Sequence, residues 1–209
     1  MQKIIFATGN AGKMKEIRMI LADLRINGEE AEILSMKEAG IDTEIIEDGR
    51  TFAENAIIKA KAVAACAEGA IVLADDSGLE IDYLNKEPGI YSARYLGEDT
   101  SYHEKNANLI DRLTGVPDKD RTARFVCAIA CVLPDGEVMT EEATIEGRIG
   151  YEEKGRNGFG YDPIFIVPEY DKSTAQLTEE EKNEISHRGK ALRGMKRQLK
   201  AYYDKQGKN

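Results

Sequence analysis

A short apolar run that stops at a glycine turn and restarts with a different period constrains this chain more than any other feature. Residues 3–7 (KIIFA) have the make-up of a buried strand, and Thr8-Gly9-Asn10 ends it. Beyond the turn Met14, Ile17, Ile20, Leu21 and Leu24 recur at helical spacing, with Lys13, Lys15, Glu16 and Arg18 on the other face. The first element pair is therefore strand, tight turn, helix. The pattern continues with a strand at 32–36 and a long alanine-rich helix at 51–68, opened by Thr51 with Glu54 at the capping-box offset. Residues 70–74 predict a buried strand ending in Asp75-Asp76-Ser77-Gly78, and 79–84 alternates as an extended segment does. A helix over 101–113 follows. Segments 121–133 and 137–149 flank Pro134-Asp135-Gly136 as a long hairpin. After a Gly-rich loop at 155–161 come a short strand at 163–167 and a mostly helical segment at 178–203, with a break near Ser186 or Gly189. The expected class is α/β, a single domain over 1–209 whose two lobes share one sheet, with no internal repeat and no linker.

Composition narrows the function classes. With 42% hydrophobic and 32% charged residues among 209, the chain has enough apolar surface to build a core and is not disordered throughout. No run approaches the roughly 18 to 20 apolar residues of a membrane span, and residues 1–10 lack a basic leader with an apolar stretch, so no membrane partner and a cytoplasmic location are expected. Three cysteines, Cys66, Cys127 and Cys131, fit a reducing compartment and are expected to be packing residues. The net charge of −9 has the wrong sign for a protein that binds nucleic acid backbone. Nine Lys or Arg against five acids between Thr178 and Asn209 still make the C-terminal segment basic, suited to a small polyanion.

Five places carry chemistry. Thr8-Gly9-Asn10-Ala11-Gly12-Lys13 enters a helix through glycines, which leaves unpaired N–H groups beside a lysine and suits a phosphate. It departs from the ATPase loop, since its Gly spacing is too short and Met14 replaces the hydroxyl residue. Asp75 and Asp76 are neighbours on an extended chain and point to opposite faces unless the backbone turns, so one is a ligand or base and the other caps, pairs or faces solvent. Upstream, Glu47 can complete a hard-cation site, and Asn55 and Lys59 share a helix face. In Gly158-Phe159-Gly160-Tyr161-Asp162, glycines let the backbone approach a flat ligand and the Phe offers a stacking face. Finally Lys182, His187 and Arg188 supply cations, Arg188 with planar donors for a base carbonyl. Taken singly, each also suits a blander role: a tight turn, a solvated acidic turn, a surface pairing or a charged helix face. His103 is assigned no role.

Six motifs in order, ATGNAGKMKEI, DGRTFAENAIIKAKA, ADDSGLEID, PGIYSARY, GRNGFGYDPIF and TEEEKNEISHRGKAL, resemble the inosine triphosphate pyrophosphatase family over residues 3–199. The resemblance implies a curved mixed sheet, two lobes flanking a nucleotide-binding cleft, and a homodimer. It implies Mg²⁺-dependent hydrolysis of ITP, dITP and XTP to the monophosphate and pyrophosphate. Carried over by position, Asp76 is the proton acceptor and a metal ligand, with Glu47 the second ligand and Glu44 its competitor. Thr8, Gly9, Asn10, Ala11, Gly12, Lys13, Ser77, Phe159, Gly160, Tyr161, Asp162, Lys182, His187 and Arg188 are the substrate positions.

Overall fold

The structure, a computed structural model, describes residues 2–206. The N-terminal apolar run is strand β1 (Gln2–Phe6), and Asn10 starts helix α1 (Ala11–Ile20) by accepting the Lys13 N–H on its side chain at 3.0 Å. The helical spacing read from the sequence is the buried face: Met14, Ile17, Leu21 and Leu24 pack with Ile4, Phe6, Ile71 and Leu73. Burial of Ile17, which has no exposed surface, contributes roughly 1.5–3 kcal/mol. Strands β2 (Arg25–Ile26) and β3 (Glu29–Ser35) follow, then helix α2 (Phe52–Ala64). Thr51 caps α2 by accepting the Glu54 N–H, but the Glu54 carboxylate accepts from the Arg50 N–H at 2.6 Å rather than closing the expected box on Thr51.

Strand β4 (Ile71–Ile81) corrects one expectation. The acidic pair does not end a strand; Asp75-Asp76-Ser77-Gly78 lies inside eleven continuous extended residues. Two charges are tolerated mid-strand because each finds polar partners on its own face, as described below. Helix α3 (Tyr102–Arg112), strands β5 (Thr122–Val132), β6 (Val138–Ile149), β7 (Phe165–Val167) and β8 (Lys172–Ser173), and helices α4 (Glu179–Ile185) and α5 (His187–Gln206) complete the chain. The break expected in the last helical segment is at Ser186, whose backbone is extended (φ −67°, ψ 155°).

The eight strands form one mixed sheet in the order β2-β3-β1-β4-β5-β6-β7-β8. Strand β1 runs parallel to β3 and to β4, with Ile4 opposite Ile33 and Ile71, whereas β6, β7 and β8 are antiparallel neighbours. The fold class is thus the expected α/β with a mixed sheet.

The chain divides into two compact units. One comprises residues up to Asp76, Cys127–Ala143 and the segment from Arg188 on; its core joins α1, β1, β4 and β5 to Ala191, Leu192, Met195 and Leu199 of α5. The other comprises Ser77–Val126 and Thr144–His187, with a core around Leu79, Leu109, Phe125, Ile149 and Phe165. Cys127 and Cys131 are buried packing residues as expected, but Cys66 is exposed. Among the described residues no helix is long and apolar enough to cross a membrane.

Candidate functional site

The period of two along β4 sorts the acidic pair. Asp75 shares a face with Ile71 and Leu73, the face packed with α1 and α5, and there it meets charges from both helices. Lys13 Nζ lies 2.9 Å from Asp75 Oδ2, and Arg188 Nη2 lies 3.3 Å from the same oxygen. Arg188 Nη1 also pairs with Glu16 at 2.5 Å. Burial of the whole Asp75 carboxyl favours its neutral form, yet Lys13, Arg188 and Lys59 together hold it far below the usual carboxylate range. The Arg188 guanidinium is likewise buried, with its charge secured by Asp75 and Glu16.

Asp76 faces the other way, toward α2. Asn55 Nδ2 donates to its Oδ2 at 3.2 Å, and Lys59 Nζ lies 3.3 Å from its Oδ1 and 2.9 Å from Glu47 Oε2. Asn55 and Lys59 are one helical turn apart, so α2 delivers both to one carboxylate. Burial pushes the Asp76 carboxyl above its ordinary proton affinity, and Lys59 and Asn55 only partly offset it. The two neighbouring carboxyls are therefore driven in opposite directions, which separates an acid that stays ionised from one able to accept a proton. Glu44, the competitor of Glu47, is exposed.

The start of α1 is a polar turn. Thr8 Oγ1 accepts the Asn10 N–H at 3.2 Å, Ala11 and Gly12 form the first turn, and a Cβ at Gly9 would meet nothing within 4 Å, so the backbone there is open. Ser77 follows Asp76 in β4 and is half-buried.

In the second unit the Gly-rich loop is organised by Asp162. Its Oδ2 accepts the Phe159 N–H at 2.8 Å and lies 2.6 Å from Lys182 Nζ, while its Oδ1 accepts from Thr174 Oγ1 at 2.7 Å. The Lys182 ammonium stands 4.9 Å from the centroid of the Phe159 ring, a cation–π contact. Tyr161 is buried, donates to the Ser92 carbonyl at 2.6 Å and meets Tyr102 edge-on, whose ring also bounds Gly160. His187 stacks on Phe125 at 4.9 Å. Gly158 needs to be glycine: its φ is +72°, and a Cβ would stand 2.2 Å from Asp162 Oδ2. Gly158→Ala is expected to cost roughly 1–3 kcal/mol, read as a lower urea midpoint, and to weaken substrate binding through Asp162. A variant as stable as the wild type would show that the loop adapts without strain.

The sequence-predicted residues thus gather in two sets. Lys13, Asp76, Glu47 and Arg188 belong to the first unit, and Phe159, Gly160, Tyr161, Asp162, Lys182 and His187 to the second. Arg188, named for a base carbonyl, engages the carboxylates of Glu16 and Asp75 here, and the Phe159 N–H donates to Asp162. Sequence reasoning assigned no role to Glu16 or Thr174. Glu16 sits one turn beyond Lys13 on what reads as the solvent face, and its partner lies 172 residues away. His103, left without a role, bonds Glu153 through Nδ1 at 2.6 Å.

Known proteins match this chain over most of its length. A family model, that of the Ham1 family, covers residues 4–198. A dITP/XTP pyrophosphatase of Clostridium perfringens (strain 13 / Type A) is 48% identical, over 96% of this chain and 98% of the relative. That of Bacillus subtilis (strain 168) is 47% identical, with the same shares covered, 96% and 98%. Among solved structures, the Staphylococcus aureus Ham1 protein superposes with a TM-score of 0.82 at 41% identity, covering 96% of this chain and all (100%) of that one. A nucleoside-triphosphatase / dITP/XTP pyrophosphatase from Mycobacterium abscessus gives 0.72 at 38% identity, covering 93% and 98%. Over nearly the full length of these proteins, the chain belongs to the Ham1 family.

Proposed function

We propose that the chain hydrolyses non-canonical purine nucleoside triphosphates, dITP, XTP and ITP, at the α-phosphate, releasing nucleoside monophosphate and pyrophosphate and so clearing altered bases from the nucleotide pool. Its relatives carry the name dITP/XTP pyrophosphatase, which places the chain among nucleoside triphosphate pyrophosphatases. The observation that carries the reading is the sorting of the acidic pair at β4, with Asp75 in ion pairs with Lys13 and Arg188 and Asp76 sharing the Lys59 ammonium with Glu47.

The donor set suits Mg²⁺. Glu47 Oε2 and Asp76 Oδ1 already share one cationic group, the Lys59 ammonium at 2.9 and 3.3 Å, and Mg²⁺ commonly takes one or two protein carboxylates with phosphates and water completing its shell. Glu47 and Asp76 would hold it, and when bound it neutralises phosphate charge and eases departure of pyrophosphate. Asp76 accepts the proton of the attacking water while Asn55 holds its other oxygen in place. Lys13, oriented by Asp75, meets negative charge growing on the phosphates, and the open backbone at Gly9 leaves room for phosphate oxygens beside the start of α1. In the second unit the Phe159 ring offers a stacking face to a purine and Lys182 an adjacent cation. The same reading carries a cytoplasmic homodimer, which light scattering checks for oligomeric state.

Pyrophosphate release from ITP, XTP, dITP, GTP and ATP, with Mg²⁺ and with chelator, tests the proposal. Rapid release from the first three is expected, lost on chelation, with ATP slower by orders of magnitude because its 6-amino group offers a donor where a carbonyl is read. Phosphate in place of pyrophosphate would overturn the reaction, and equal rates on ATP would overturn the substrate class.

A further inference from the structure

Segment 173–177 clamps the Gly-rich loop at both ends. Ser173 Oγ donates to the Lys154 carbonyl at 2.5 Å. The Ala175 carbonyl accepts the N–H groups of Arg156 and Asn157 at 3.1 and 3.0 Å, and the Leu177 carbonyl accepts from Asn157 Nδ2 at 2.8 Å. A Cβ at Gly155 would overlap the Ala175 carbonyl at 2.2 Å, so the two strands of backbone are in direct contact. At the far end of the loop one side chain makes the connection. Thr174, only 2% exposed, donates to Asp162 Oδ1 at 2.7 Å, with the Asp162 carbonyl farther off at 3.1 Å.

The consequence lies in the carboxylate torsion. The terminal torsion of an aspartate is broad and nearly two-fold, so packing of the chain alone does not set the direction of its oxygens. Here Oδ2 serves two donors of the site, the Phe159 N–H and the Lys182 ammonium, and the second of these stands over the Phe159 ring. A hydroxyl has one proton, and the shorter contact commits it to Oδ1. With Oδ1 bound, Oδ2 is held against both donors; with Oδ1 released, the carboxylate turns and both lose alignment.

We propose that Thr174 is a positioning residue for the nucleotide base, acting through Asp162 to hold the Lys182 ammonium and the Phe159 ring in the arrangement that receives a purine. This deepens the pyrophosphatase reading and rests on it. Thr174 touches no substrate, and its effect belongs to ground-state binding rather than to the phosphoryl step.

Thr174→Val keeps the volume and removes the hydroxyl, whereas Thr174→Ser keeps the hydroxyl. The valine variant should raise KM for XTP about tenfold, the size of losing one hydrogen bond to a charged group, with kcat within about twofold of the wild type. The serine variant should restore KM. Should Thr174→Val fail to fold, Thr174→Ala, which presses no methyl on the carboxylate, gives the same comparison. A merely structural threonine predicts the reverse, a lower Tm with KM unmoved in both the valine and alanine variants, and that result overturns the proposal. The wild type controls for the reading beneath it. If it neither binds inosine monophosphate in calorimetry nor releases pyrophosphate from XTP, the nucleotide reading has failed and Thr174 loses its role with it. An active wild type with KM unchanged in the variants sinks the Thr174 proposal alone.

Discussion

Asp76→Asn is expected to lower kcat/KM on XTP by about 10²–10⁴-fold while leaving a folded protein. The substitution keeps the shape of the side chain and removes the oxygen charge that takes a proton from water. It also removes one of the two carboxylates proposed to hold Mg²⁺, so the loss belongs at the upper end of that range. Stability should change little, because the Asp76 charge is itself opposed by burial and only partly offset by Lys59 and Asn55. Pyrophosphate release and a thermal melt on the same preparation separate the two effects. Unchanged turnover would remove Asp76 from the chemistry, and loss of turnover together with loss of folding would make it a structural residue.

The neighbouring substitution should do the opposite. Asp75→Asn removes the negative charge that meets Lys13 at 2.9 Å and Arg188 at 3.3 Å, in a side chain with 0% exposure. Removing one member of a buried ion pair typically costs about 3–5 kcal/mol, because the remaining cations keep their desolvation and lose their compensation. Arg188 retains Glu16, which tempers the loss on that side. The denaturant midpoint should fall steeply, and the residual folded protein should handle triphosphate poorly because Lys13 is no longer held. An unfolding free energy within about 0.5 kcal/mol of the wild type, the range of ordinary surface changes, would show that the cluster is solvated enough to do without Asp75.

Much of the fold is legible in local patterns. The spacing of Met14, Ile17, Leu21 and Leu24 marks α1 and its buried face, and Thr178 with Glu181 marks the start of α4, where the capping box is complete. What local pattern misses is compensation at a distance. Two adjacent aspartates read as the end of a strand because uncompensated charge does not continue into a core, yet Lys13 and Arg188 on one face and Asn55 and Lys59 on the other let β4 run through them. The alternation of side chains puts the two aspartates on opposite faces, and Asp75 pairs there with Lys13 and Arg188. Arg188 shows the limit of reading chemistry from residue type. Its planar donors suit a base carbonyl, but in the fold they serve Glu16 and Asp75, which no spacing rule connects to it. Thr174 was invisible for the same reason, since a lone threonine gains meaning only once Asp162 is beside it.

The continuity of β4 also sets how this sequence is free to change length. Since successive side chains alternate, deleting or inserting one residue between Ile71 and Asp75 would move each aspartate to the other's face. An insertion would put Asp75 beside Asn55 and carry Asp76 past Lys13 and Arg188 to the position of Ser77, and a deletion would put Asp76 against Lys13 and Arg188 and draw Asp75 back to the position of Ala74. Such an indel changes no chemical group and removes no side chain of the site, yet it undoes the sorting of the pair in a single step. The spacing through Asp75 and Asp76 is therefore fixed by parity.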